Sequence, residues 1–134
     1  MEKTLPQRLE EYIADELSDH ALYQELVHHT TDPEYQKLLT QFAQDEHRHA
    51  TVFKRLYHML TGCCYEPGVE PPEVDAPFRE VLRQRVLSEA HDMRKYSEEA
   101  LLADDRNRLL KEAFCMAQTD ENVHALSLLQ MLSE

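Results

Sequence analysis

Two short runs constrain this chain more than anything else in it: Asp45-Glu46-His47-Arg48-His49-Ala50 and Asp120-Glu121-Asn122-Val123-His124-Ala125. Aligned on their glutamates, the Asp, Glu, His and Ala positions coincide. The segments upstream echo one another too. Glu16 is followed three residues later by Asp19 and seven later by Tyr23, and Glu89 likewise by Asp92 and Tyr96. On a helix, positions three, four and seven apart share a face. Each half therefore reads as two helices, one presenting Glu and Tyr, the other Glu and His.

Punctuation supports four helices. The 134 residues contain only two glycines, Gly62 and Gly68, while 42% are hydrophobic. Leu9, Ile13, Leu17, Ala21 and Leu22 lie along one side of a first helix from about Leu5 to His29. Asp32 before Pro33 is an N-cap followed by proline at the first helical position, which opens a second helix reaching Thr61. Asp75 is expected to cap a third, from Ala76 to about Ala103, and after the turn Ala103-Asp104-Asp105-Arg106-Asn107 a fourth runs from about Arg106 to Leu132. Residues 62–75 hold both glycines and three prolines and read as a linker. Extended, this segment reaches about 43 Å at ~3.1 Å per residue. A helix of ~28 residues is about 42 Å long, so the linker can cross the length of a bundle. The expectation is a single all-α domain over residues 1–134, with two antiparallel helical hairpins joined by a long crossover.

Folding each half into a hairpin puts the repeated residues at one height. Glu16 and Glu46 are equidistant from Thr31 in the first turn, and Glu89 and Glu121 from Asp105 in the second. Equal rise along both arms brings four glutamates into one layer, with His49 and His124 each beside its own Glu. Buried carboxylates this close force pKa values upward unless cations neutralise them. Two divalent ions carry four positive charges against four glutamates. Oxygen-rich ligation with one imidazole per ion suits iron or manganese better than zinc. One Glu from each of two helices plus Glu-x-x-His from each of the other two is the ligand pattern of ferritin-like di-iron and di-manganese bundles. Glu16 and Glu89 are thus the expected terminal ligands, Glu46 and Glu121 the bridges, and His49 and His124 one ligand per ion.

With Glu16 and Tyr23, Glu46-His47-Arg48-His49, Glu89 and Tyr96, and Glu121-Asn122-Val123-His124, the sequence resembles the rubrerythrin branch of ferritin-like proteins. The resemblance implies two iron ions, oxidation from the ferrous state, and reduction of hydrogen peroxide or dioxygen as an oxidoreductase. It also implies Tyr23 and Tyr96 as hydrogen-bond donors behind the ligands. Two departures stand out. Rubrerythrins usually carry an appended rubredoxin domain with paired CxxC motifs, and Cys63, Cys64 and Cys115 form no such pair, so the electron donor is unknown. Rubrerythrins also place an extra Glu three residues after the third-helix ligand, where this chain has Asp92. The other functional readings are an iron-handling or storage module, a di-manganese catalase-like protein, and a metal-free interaction bundle.

The formal charge of −12 disfavours nucleic acid and anionic membrane surfaces and favours cations. No apolar run has the length of a membrane span, and Met1–Tyr12 lacks the pattern of a secretory signal, so a cytoplasmic location is expected. Long helices expose a side stripe suited to a second copy, from which a homodimer is expected. His20, one turn after Glu16, is a weaker ligand candidate; His28 and His29 read as C-terminal helix charges and His47 as solvent-facing. Asp19 and Asp92 read as residues behind the ligands or in solvent, Cys63 and Cys64 as reduced loop thiols, and Cys115 as core.

Overall fold

A computed structural model describes residues 2–134, and over these the chain is an all-α four-helix bundle. The helices are α1 (Leu5–Leu26), α2 (Pro33–Thr61), α3 (Phe78–Leu102) and α4 (Arg108–Leu132), with a single 3-10 turn at Val27–His29. Thr4 opens α1 through a capping box: its hydroxyl accepts from Gln7 N while the Gln7 side chain accepts from Thr4 N. Asp32 caps α2 as expected, accepting from Glu34 N and Tyr35 N, and Gly62 ends that helix at φ 74°, where a side chain would be strained. Asn107 caps α4 by accepting from Leu110 N.

Three expectations shift. α1 stops at Leu26, and Val27–His29 tightens into a 3-10 turn rather than a last α turn. α3 begins at Phe78, not Ala76, and Asp75 does not cap it; proline at 77 disfavours helical geometry at Ala76, and Pro77 itself takes the N-cap position. The inward stripe of α1 also differs. It runs through Leu9, Tyr12, Ile13, Glu16, Tyr23 and Leu26, leaving Leu17, Ala21 and Leu22 only partly covered.

α1 packs on α2 and α3 on α4 as hairpins. Arg8 and Tyr12, near the start of α1, bond Glu99 near the end of α3, while Tyr23 near the end of α1 meets Arg85 near the start of α3. α1 and α3 are therefore antiparallel, and α2 and α3 run the same way. The connection between them must traverse the bundle. Tyr65 packs at the end where α2 finishes, and Val74 and Ala76 at the end where α3 starts.

The core is split in two. One apolar cluster gathers Leu9, Tyr12, Ile13, Phe53, Leu56, Tyr96, Leu110 and Phe114; the other gathers Tyr23, Leu26, Leu39, Phe42, Leu82, Leu128 and Met131. Buried polar residues fill the space between them. Cys115 is not part of either cluster. It is exposed, because the inward face of α4 runs through Ala113, Phe114 and Ala117 and turns position 115 outward.

Candidate metal centre

Six side chains meet between the two apolar clusters. Glu16, Glu46, Glu89, Glu121 and His49 are 0% exposed and His124 is 1% exposed. They form two overlapping quartets: Glu16, Glu46, His49 and Glu121, and Glu46, Glu89, Glu121 and His124, each with ligand atoms within 4.8 Å of one another. Glu46 and Glu121 are common to both. The layer expected from equal rise along the hairpin arms is the one the fold assembles.

Both imidazoles turn Nδ1 inward. His49 Nδ1 lies 3.4 Å from Glu16 Oε1, 3.5 Å from Glu46 Oε1 and 3.6 Å from Glu121 Oε1. His124 Nδ1 lies 3.4 Å from carboxylate oxygens of Glu46, Glu89 and Glu121. Their Nε2 atoms face aspartates of the opposite hairpin: His49 Nε2 is 2.7 Å from Asp120 Oδ2, and His124 Nε2 is 2.8 Å from Asp45 Oδ2. An aspartate accepting the Nε2 proton leaves the Nδ1 lone pair for a ligand. Arg48 in turn holds Asp120.

Eight buried side-chain atoms have no hydrogen-bond partner: Glu16 Oε2, both oxygens of Glu46 and of Glu121, Glu89 Oε2, and Nδ1 of His49 and His124. All belong to the six residues, and no other buried side-chain polar atom among the described residues lacks a partner. Each such orphan costs about 1–3 kcal/mol. Concentrating the unpartnered buried side-chain atoms of the described residues in one layer gives that layer the donor set of an oxygen-rich dication pair.

Proton affinities in the layer show the same excess of negative charge. Burial pushes Glu46 well up, reinforced by the charges of Glu16, Glu121 and Glu89. Burial likewise raises Glu121, helped by Glu16 and only partly opposed by His124. Burial opposes charge on the histidines, yet the hydrogen bond to Asp120 and the nearby carboxylates of Glu16 and Glu121 raise His49 to about 10, and the hydrogen bond to Asp45 with the nearby carboxylates of Glu121 and Glu89 raises His124 to about 11. Glu89 moves the other way. Its burial is outweighed by His124, Arg85 and the Tyr23 hydroxyl, which lower it.

The tyrosines cross the bundle. Tyr23 donates to Glu89 Oε1 at 2.6 Å and Tyr96 to Glu16 Oε1 at 2.7 Å, each serving the other hairpin's glutamate. Both phenols are fully buried, and burial raises their pKa well above the ordinary value. Asp92 is buried and accepts from Lys95, while Asp19 pairs with Arg85 at 3.2 Å; burial raises Asp19 to about 7. Asp19, Arg85 and Asp92 line a cleft of about 380 Å³ between α1 and α3, together with Asp15, Ser18, Ser88 and His91.

Of the weaker candidates, His20 stays out of the layer. Its Nδ1 lies 2.7 Å from Ala43 O. His28, His29 and His47 are exposed, as are Cys63 and Cys64. Two functional features went unread in the sequence. The aspartates that anchor the imidazoles were visible as the Asp preceding each repeated Glu, but which histidine each would hold depends on the packing of α2 against α4. Arg85 gave a fainter signal, a cation one turn before Glu89.

The rubrerythrin family model matches residues 8–68, a stretch containing Glu16, Glu46 and His49. The second hairpin, outside that match, supplies the repeated set Glu89, Glu121 and His124. Among solved structures, a hypothetical protein from Pyrococcus furiosus is similar in fold, with a TM-score of 0.81 at 15% identity over 97% of this chain and 89% of that one. No curated protein sequence matches the chain. Among the described residues no helix is long and apolar enough to cross a membrane.

Proposed function

On the premise of a rubrerythrin-like, ferritin-like domain, we propose that this protein is a di-iron carboxylate oxidoreductase that reduces hydrogen peroxide or dioxygen in the cytoplasm. The observation that carries the proposal is the set of eight unpartnered buried atoms, all on Glu16, Glu46, His49, Glu89, Glu121 and His124. Glu16 and His49 would hold one ion and Glu89 and His124 the other, with Glu46 and Glu121 between them. Two ferrous ions bound there supply the two electrons that convert hydrogen peroxide, with two protons, into two molecules of water.

The chain's own residues set the conditions for that chemistry. Asp45 and Asp120 fix the imidazole tautomers. Tyr23 and Tyr96 keep their protons at Oη and orient Glu89 and Glu16. The apolar clusters above and below the layer keep bulk water out, so an oxidant of two heavy atoms is favoured over a larger substrate. The cleft bordered by Asp19 and Asp92 offers the approach from solvent.

The test is an anaerobic ferrous loading of the metal-free chain followed by one equivalent of peroxide per site. Two irons per chain and complete oxidation support the reading; a ferrous spectrum that survives peroxide rejects it. The acidic surface, at −12, also suits an iron-handling role. Stoichiometry separates the two, since storage requires tens of irons per chain. Manganese in the protein as isolated, with peroxide disproportionation and no need for a reductant, would point to the catalase-like alternative. A homodimer is the expected assembly in this reading.

A further inference from the structure

The repeat that builds the layer is broken four residues before its first glutamates. Aligning Glu16 with Glu89 aligns Tyr12 with Arg85, each four residues upstream. Tyr12 turns its hydroxyl away from the layer to Glu99, at 2.8 Å. Arg85 turns inward and is 7% exposed; its Nη2 donates to Glu89 Oε1 at 3.0 Å, its Nε to the Tyr23 hydroxyl at 3.2 Å, and Nη2 pairs with Asp19 Oδ2 at 3.2 Å. Glu89 Oε1 thus accepts from both Tyr23 and Arg85, whereas Glu16 Oε1 accepts from Tyr96 alone. Lys95, which lies on the Glu16 side of the layer, is held by Asp92 and Asp15 and lies over the rings of Tyr12 and Tyr96. It makes no ion pair with a carboxylate of the layer.

We propose that Arg85 makes the two metal positions inequivalent, so that the Glu16–His49 position binds first and the Glu89–His124 position second and more weakly. The inference rests on the binuclear reading above. Its basis is electrostatic. A guanidinium bound to one oxygen of a carboxylate withdraws charge from that ligand and adds a fixed positive charge beside the incoming dication, in a buried setting where screening is weak. Asp19 shares the guanidinium at 3.2 Å and offsets part of that charge, while Glu89 takes the closer contact, at 3.0 Å.

Titrating the metal-free chain with Mn²⁺ alone under anaerobic conditions tests this, with calorimetry for affinity and electron paramagnetic resonance for the state of each ion. The expected result is two ions per chain with dissociation constants separated by about tenfold or more. At one equivalent the spectrum is that of isolated Mn²⁺, and spin coupling grows only with the second. Arg85→Gln is expected to bring the constants within about threefold, while Arg85→Lys, which keeps the charge, preserves most of the separation. His124→Ala keeps the tight step and His49→Ala loses it, a comparison that decides the order of filling even if Arg85→Gln fails the fold check by circular dichroism. Equal affinities in the wild type, an unchanged separation in folded Arg85→Gln, or loss of the tight step in His124→Ala but not in His49→Ala overturns the inference and leaves the binuclear reading intact. Failure to bind two ions per chain at saturating Mn²⁺ and Fe²⁺ overturns the binuclear reading itself.

Discussion

Tyr23 donates its hydroxyl to Glu89, on α3, and not to Glu16, the glutamate that precedes it on its own helix. Seven residues of helix rise about 10 Å, beyond the reach of a phenol turned back along its own axis. The antiparallel packing of α3 on α1 brings Glu89 within reach of the Tyr23 hydroxyl and Glu16 within reach of Tyr96. Asp45 and Asp120 repeat the exchange between α2 and α4. Each half-site is finished by the opposite hairpin, so neither hairpin alone could present a complete ligand set.

The exchange predicts unequal costs for removing the phenols. Tyr96→Phe leaves Glu16 Oε1 without a donor and is expected to destabilise the metal-free protein by about 1–3 kcal/mol. Tyr23→Phe leaves Glu89 Oε1 still bonded to Arg85 and is expected to cost less. Urea denaturation of the two variants in chelator measures the difference, and a larger loss for Tyr23→Phe would contradict the hydrogen-bond assignment.

Removing a central glutamate is expected to separate stability from binding. Glu46→Gln or Glu121→Gln takes one carboxylate out of a layer where burial and like charges raise both groups. At pH 8 in chelator the variants are expected to unfold at a higher temperature than the wild type, by about 4 °C for each kcal/mol gained. With Mn²⁺ or Fe²⁺ present the order is expected to reverse, because the variants lose the ion pair and with it the stabilisation that binding confers. Thermal scans with and without metal, together with elemental analysis, check both halves of this expectation.

The histidines predict the pH dependence. His49 and His124 are raised in the fold to about 10 and about 11. In the unfolded chain they titrate near ~6.5. The folded metal-free protein therefore holds more protons between these values. Their contribution to stability is fully present below ~6.5 and is lost as pH rises through about 10–11. Glu46 and Glu121, also raised, act with the same sign from about 4.3 upward. Metal ligation requires the deprotonated forms, so affinity is expected to rise over the same range. Melting temperatures from pH 6 to 9 should fall in chelator and the increment gained on adding Mn²⁺ should grow; an increment independent of pH would count against ligation by these side chains.

Asp120→Asn replaces the acceptor that orients His49. Affinity for the first ion is expected to drop about 10–100-fold, with Asp45→Asn acting in the same way on the second through His124. Competition against a chromophoric chelator gives both constants. Unchanged affinity in Asp120→Asn would mean that His49 is positioned by packing alone.

Much of this architecture was legible in the chain as written. The α2 boundaries follow from Asp32-Pro33 at one end and Gly62 at the other, since a cap, a proline and a glycine act through their own backbones. The common height of the four glutamates follows from their equal distances to two turns. Pro77 moved the start of α3, a local effect that the cap-like Asp75 obscured. Cys115 was misplaced because a lone apolar residue on an amphipathic helix does not reveal which side of the stripe it falls on.

By itself the sequence determined the four helices, the repeat and the identities of the six residues in the layer, because helical periodicity and capping are short-range and equal rise is a property of any straight hairpin. Only the tertiary structure decided that Tyr23 serves Glu89, that Asp45 serves His124, and that Arg85 rather than a symmetric counterpart enters the layer. Those pairings join residues 62 to 79 positions apart in the chain. They depend on which helices run antiparallel and how closely they approach, and that is settled by packing the two apolar clusters against one another.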